Sequence, residues 1–156
     1  MAQAYDFKGV QDKWLPIWDK LEPFKSGKSD DERPKKYILD MFPYPSGSGL
    51  HCGHWYNYAI IDSYCRYLRY KGEQVFQPFG YDSFGLPAEN YAKKVGRDPR
   101  EVTYENIENF RGQMNNMDTQ YEEMLITSDP NYIKYTQWLF KELYDRGLAY
   151  KKDGEV

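Results

Sequence analysis

Residues 41–54 read Met-Phe-Pro-Tyr-Pro-Ser-Gly-Ser-Gly-Leu-His-Cys-Gly-His, and this stretch limits the folds open to the chain more than any other. It follows a short apolar run, Tyr37-Ile38-Leu39-Asp40-Met41-Phe42, that predicts a buried strand over 37–42. It leads into a segment of helical periodicity from about Trp55 to Lys71. Two prolines, three glycines and two serines lie in the stretch, the composition of a turn with unusual dihedrals. A Gly-rich loop between a strand and a helix start makes an anion site, because free backbone N–H groups and the helix dipole both favour negative charge there. The only two histidines of the chain, His51 and His54, sit at that helix start. The bland alternative is a tight turn whose histidines cap the helix, although a turn requires neither.

The rest of the chain is organised around that unit. Val10, Trp14, Ile17, Trp18 and Leu21 fall at helical spacing within residues 5–24, with Pro16 predicting a kink or a late helix start. Lys25 to Lys36 is polar and reads as a flexible surface loop. On the helix over about 52–71, Tyr58, Ile61, Cys65 and Leu68 make a core stripe, and Gly72 closes it. Gln74 to Phe79 predicts a second strand, ended by Pro78 and Gly80. Two strands joined by a helical crossover are expected to be parallel, and ligands of such sheets bind beyond the carboxyl ends of the strands. That rule puts Gly80-Tyr81-Asp82-Ser83-Phe84-Gly85, and Asp82 in particular, beside the histidine loop.

Helices are predicted over 86–95, from Asp98-Pro99 with a stripe of Tyr104, Ile107, Phe110, Met114 and Met117, and from Asp129-Pro130 to Gly147. Ile133, Thr136, Phe140 and Leu143 share one face of the last. Leu148 to Lys152 reads as the start of a strand. The expected organisation is a helix and loop over 1–36, a βαβ core over 37–97 and a helical extension over 98–156.

Composition narrows the function classes. The formal net charge is −3, which argues against a domain whose main work is gripping a nucleic-acid backbone. Sixteen tyrosines and four tryptophans are more than one core requires, so several should line a pocket or an interface. Cys52 and Cys65 match no zinc spacing and make no disulfide framework, so no protein-bound metal and a reducing compartment are expected. No run of apolar residues is long enough for a membrane span, and a cytoplasmic location is the expectation.

The chemistry read from the residues is a nucleoside triphosphate site. His51 and His54 can donate hydrogen bonds to phosphate oxygens and stabilise charge as an α-phosphorus becomes five-coordinate. Such substitution depends on positioning and electrostatics, so no protein nucleophile is needed. Gly53 between them suits close approach by a flat group such as adenine. Asp82 has two uses open to it: holding a cationic group such as an α-ammonium, or satisfying its own turn.

Three motifs in order carry a family resemblance: Met41 to Gly47, Leu50 to His54, and Gly80 to Asn90. Together with Thr103-Tyr104-Glu105-Asn106-Ile107 and Gly147-Leu148-Ala149-Tyr150, they make the chain resemble the N-terminal catalytic part of bacterial-type leucyl-tRNA synthetases. The resemblance implies an α/β fold with the Rossmann-like (HUP-type) parallel sheet of class I synthetases, its N-terminal half only, with additional helices. It implies activation of leucine by ATP with Mg²⁺ and transfer of leucine to tRNA(Leu). By position, His51, Gly53 and His54 would meet ATP. The Phe42 backbone and Asp82 would hold the leucine ammonium, and Met41 and Tyr44 would wall its side chain. Cys52, Tyr81 and Ser83 depart from the usual residues, and 118–128 lacks the Asp-Trp-Ser-Arg-Glu run of the family. The resemblance also implies an editing insertion, a second half-sheet with a Lys-Met-Ser-Lys-Ser loop, and an anticodon-binding domain after this stretch, so that the chain alone is expected to be inactive. Another His-x-Gly-His nucleotidyltransferase, or a non-catalytic relative that binds leucine or an adenylate, are the alternatives.

Overall fold

The computed structural model describes residues 4–27 and 30–154; positions 28 and 29 of the 25–36 loop lie outside them, as do both chain ends. The elements are α1 (Phe7–Leu21), β1 (Lys35–Tyr37), α2 (Cys52–Tyr70), β2 (Gln74–Phe76), β3 (Pro78–Tyr81), α3 (Leu86–Val95), α4 (Pro99–Asn116), β4 (Glu122–Ile126) and α5 (Pro130–Asp145). Helix starts follow their caps. Asp98 accepts from the N–H groups of Arg100 and Glu101, Asp129 accepts from that of Asn131, and a proline opens each of these helices.

The crossover β1–α2–β2 is parallel, with Lys35 opposite Gln74 and Tyr37 opposite Phe76. The ladder lies earlier than the strand expected over 37–42. After Ile38 donates to the Phe76 carbonyl, Asp40 captures the N–H of Met41, and Pro43 has none to give. The second strand does not end at Pro78. The run passes Gln77 and continues as β3, which pairs in parallel with β4 through a register shift between Phe79 and Gly80. A Cβ at Gly80 would stand 2.6 Å from the Leu125 carbonyl oxygen, so this close approach requires glycine.

β4 corrects the reading of 98–156 as a wholly helical extension, and no strand forms at 148–152 among the described residues. Pro16 lies inside α1, which begins well before it; the helix accommodates the proline on an outer element with no buried residue. α5 likewise buries no residue among those described, and Phe140 and Leu143 of its expected apolar face are exposed.

Two clusters form the core. Tyr58, Phe79, Tyr81, Ile107, Phe110 and Met114 join α2, β3 and α4, and Cys65, Leu68 and Val75 fill the space between α2 and β2. Burying each of the large side chains contributes about 1.5–3 kcal/mol. α1 is held by Arg66 of α2, whose guanidinium lies 4.5 Å from the Phe24 ring and 5.4 Å from the Trp18 ring. Arg66 also pairs with Asp62 at 2.7 Å and bonds Asp118, while the second Asp62 oxygen takes the Gln120 N–H at 2.8 Å. Asp118 and Gln120 are thus anchored to α2 by polar contacts, and the residues after them are held as β4 by pairing with β3.

Candidate active site

The start of α2 is built by its two histidines. His51 is the N-cap, and its Nδ1 accepts from the Gly53 N–H at 3.1 Å. His54 returns the bond, its Nδ1 accepting from the His51 N–H at 3.1 Å. This is a reciprocal capping box made of imidazoles. Because each Nδ1 is an acceptor, the proton of each neutral ring sits on Nε2, and both rings carry an Nε2–H donor. Capping and anion contact are therefore compatible uses of the same side chains. The ring centroids are 3.9 Å apart. Burial, and then the charge of His51, hold the His54 pKa below its ordinary value. At Gly53 the first atom a Cβ would meet is Cε1 of His51 at 3.0 Å, so glycine leaves room for the capping ring itself.

The loop before the helix is held by α4. Asn106 donates to the Pro45 carbonyl at 2.9 Å, Asn109 donates to the Ser48 carbonyl, and Gln113 accepts from the Leu50 N–H at 2.7 Å. These residues recur at three and four, beside the core stripe Ile107, Phe110 and Met114. The sequence reading gave them no role, Asn106 entering it only as part of a family motif.

The third wall comes from the end of β3. The Asp82 N–H donates to the Pro43 carbonyl at 3.0 Å, joining the two loops. A cleft of about 300 Å³ opens between them, lined by Leu39, Asp40, Met41, Phe42, Tyr44 and Asp82. The structure therefore brings together the four residues expected around an amino acid. His51 and His54 do not line this cleft; they stand at the other end of the same loop. Asp82 Oδ1 accepts a long bond of 3.4 Å from the Thr127 hydroxyl. Ser83 is tied by its N–H to Thr127 and by its hydroxyl to Ser128 at 2.7 Å.

Asp40, read from sequence only as part of a strand, is buried at the base of the cleft. Its Oδ1 accepts from the Met41 N–H at 2.7 Å and from Asn57 at 2.5 Å. Burial raises its carboxyl pKa above the ordinary carboxylate range. A second cavity of about 260 Å³ lies between α3 and α4, with Glu89 and Arg100 as the charged residues of its lining. No group of three His, Cys, Asp or Glu side chains forms a metal site among the described residues.

This arrangement has counterparts. The family model described as "tRNA synthetases class I (M)" matches residues 36–156. The chain belongs to the class I tRNA synthetases. The leucine–tRNA ligases of Leifsonia xyli and Chlamydia felis are each 51% identical to it, over 99% and 97% of this chain and 18% and 19% of their own lengths. The chain thus spans about a fifth of the curated relatives it matches. Among solved structures, the LeuRS of Agrobacterium radiobacter K84, in ternary complex with tRNA and LeuAMS, aligns with a TM-score of 0.88 at 38% identity. It covers 96% of this chain and 20% of that one. Mycobacterium tuberculosis methionyl-tRNA synthetase, in complex with methionyl-adenylate, aligns over 73% of this chain and 22% of its own with a TM-score of 0.68. At 21% identity this second likeness concerns the fold, the partial Rossmann-like α/β arrangement of a class I synthetase. Among the described residues no helix is long and apolar enough to cross a membrane.

Proposed function

We propose that this chain forms the leucine and phosphate side of a leucine–tRNA ligase. The observation that carries the reading is the Asp82 to Pro43 bond, which closes an apolar cleft with a carboxylate onto the loop that ends at His51 and His54. In the proposed reaction a carboxylate oxygen of leucine attacks the α-phosphorus of ATP, the bond to the bridging oxygen breaks, and pyrophosphate leaves. The leucyl group then passes from the adenylate to a hydroxyl of tRNA(Leu), releasing AMP. Asp82 and the Phe42 carbonyl would take the ammonium, while Met41 and Tyr44 flank the side chain. His51 and His54 would direct Nε2–H donors at the phosphates, supported by the α2 dipole. Gly53 would leave the ATP path clear. Mg²⁺ would arrive with ATP, and no residue of this chain is assigned to it. The rest of ATP and the tRNA would be held by the remaining four-fifths of the length that its relatives have, in the cytoplasm.

The test is leucine-dependent ATP–pyrophosphate exchange, measured on this chain with and without the remaining segment supplied from a relative. Exchange that appears only in the joined protein is the expected result. No exchange in either, with leucine still bound, would instead favour a non-catalytic binding role.

A further inference from the structure

The cleft holds a carboxylate for which the proposed roles have no use. Asp40 lines it together with Asp82, yet only 5% of the residue is exposed. Both hydrogen bonds that Asp40 accepts, from Met41 and Asn57, end on Oδ1. Oδ2 has no partner among the described residues. Neither donor carries a charge, and no Lys, Arg or His lines the cleft among the described residues. A buried carboxylate compensated only by neutral donors costs stability unless a cation joins it. Burial holding its pKa up is the same fact seen from the proton's side.

A primary ammonium has three hydrogens to place. The Phe42 carbonyl and Asp82 account for two acceptors, and Asp82 already shares Oδ1 with Thr127. We propose that Asp40 is a second anionic arm of this cleft, its Oδ2 accepting the third hydrogen of a substrate's primary ammonium. The bonds from Met41 and Asn57 occupy Oδ1 and leave Oδ2 for that contact. The inference rests on the leucine reading for the identity of the amine and deepens it. It makes the site one for amines generally, with the aliphatic wall choosing among them.

The test compares three probes on the wild-type chain by calorimetry: leucine, leucinol, which keeps the ammonium, and 4-methylpentanoate, which lacks it. Asp40→Asn keeps an oxygen for Met41 and Asn57 and removes the charge. It should weaken leucine and leucinol by about tenfold or more while 4-methylpentanoate changes less than about twofold. A structural role alone would weaken all three probes alike, as Asn57→Ala should, since it loosens the wall without removing the charge. Unchanged amine affinity in Asp40→Asn, or an equal loss for the acid, overturns the inference. If Asp40→Asn does not fold, the Asp40 carboxyl carbon resonance in the wild type decides. It should move on adding leucinol and stay on adding 4-methylpentanoate; the opposite overturns the inference. Weakening by Asp82→Asn alone would leave the leucine reading standing without Asp40. Asp40-dependent binding of leucinol without any binding of leucine would do the reverse. A wild-type chain that binds neither amine sinks both.

Discussion

The Asp82 amide and the Pro43 carbonyl are 3.0 Å apart, and this one bond fastens the end of β3 to the loop that runs into α2. It fixes where the Asp82 carboxylate stands relative to Met41, Phe42 and Tyr44. Since the bond uses the backbone, Asp82→Ala keeps it and removes the carboxylate, together with its long contact to the Thr127 hydroxyl. The expected outcome, in the protein joined to its remaining segment, is a KM for leucine raised about 10- to 100-fold with kcat less affected. Exchange kinetics at varied leucine check it; an unaltered KM removes Asp82 from the site.

His54→Ala removes an Nε2–H donor and half of the capping box at once. Loss of one donor aimed at developing charge lowers exchange by about 10²- to 10³-fold. Loss of the cap lowers stability by about 1 kcal/mol. The two losses separate when exchange is assayed well below the melting midpoint. Near-normal turnover there would leave His54 as a cap and nothing more.

The pH profile of stability follows from the same ring. The His54 pKa is lower in the fold than the ordinary 6.5 because burial and the His51 charge disfavour the imidazolium. The unfolded chain therefore binds the proton more readily. The stabilisation is complete above about pH 6.5 and is lost as pH falls through the lowered folded value. Asp40, pushed upward by burial, acts in the opposite sense, so the comparison must be made between variants. His54→Asn should lose less melting temperature between pH 7 and pH 5 than the wild type does. Parallel curves would contradict the assignment.

The polar residues of α4 offer a test away from substrate. Asn106→Ala strands the buried Pro45 carbonyl, and Gln113→Ala strands the Leu50 N–H. Each should cost about 1–3 kcal/mol and reduce exchange by displacing the histidine loop. Thermal melts and exchange assays on the two variants check this. Stability lost without any loss of exchange would show that the loop holds its shape unaided.

The cysteines should differ sharply in reactivity. Cys52 is exposed, whereas Cys65 is fully buried and burial pushes its thiol pKa up to about 11. Iodoacetamide at neutral pH should label Cys52 alone, with Cys65 reacting only on unfolding. Mass spectrometry of the labelled peptides decides the matter.

The helices were legible because their signals are local. Asp98-Pro99 and Asp129-Pro130 announce two starts, Gly72 and Gly147 follow two ends in left-handed conformations, and the Tyr58–Cys65–Leu68 stripe marks the buried face of α2. The strands were not, because their partners lie far away in sequence. β4 exists because β3 presents a free edge forty residues earlier, and nothing in Glu122 to Ile126 alternates strongly enough to say so. Likewise Pro78 ends a strand by local rules, yet here it opens β3. His51, His54 and Asp82 could be picked out by residue type and by the carboxyl-end rule. Asp40, Asn57 and the α4 amides could not, since their roles depend on which backbone groups fall opposite them.

The helix that grips the histidine loop also supplies Ile107, Phe110 and Met114 to the main core. Loop and core consequently share one melting event. Heat cannot loosen the histidine turn by degrees while the hydrophobic centre stays intact, because Asn106 and Gln113 are carried by the same helix as the core residues. Ligand binding to this turn should therefore be felt as protection of amides deep in α4, many ångströms from any ligand atom, and hydrogen exchange there becomes a gauge of occupancy.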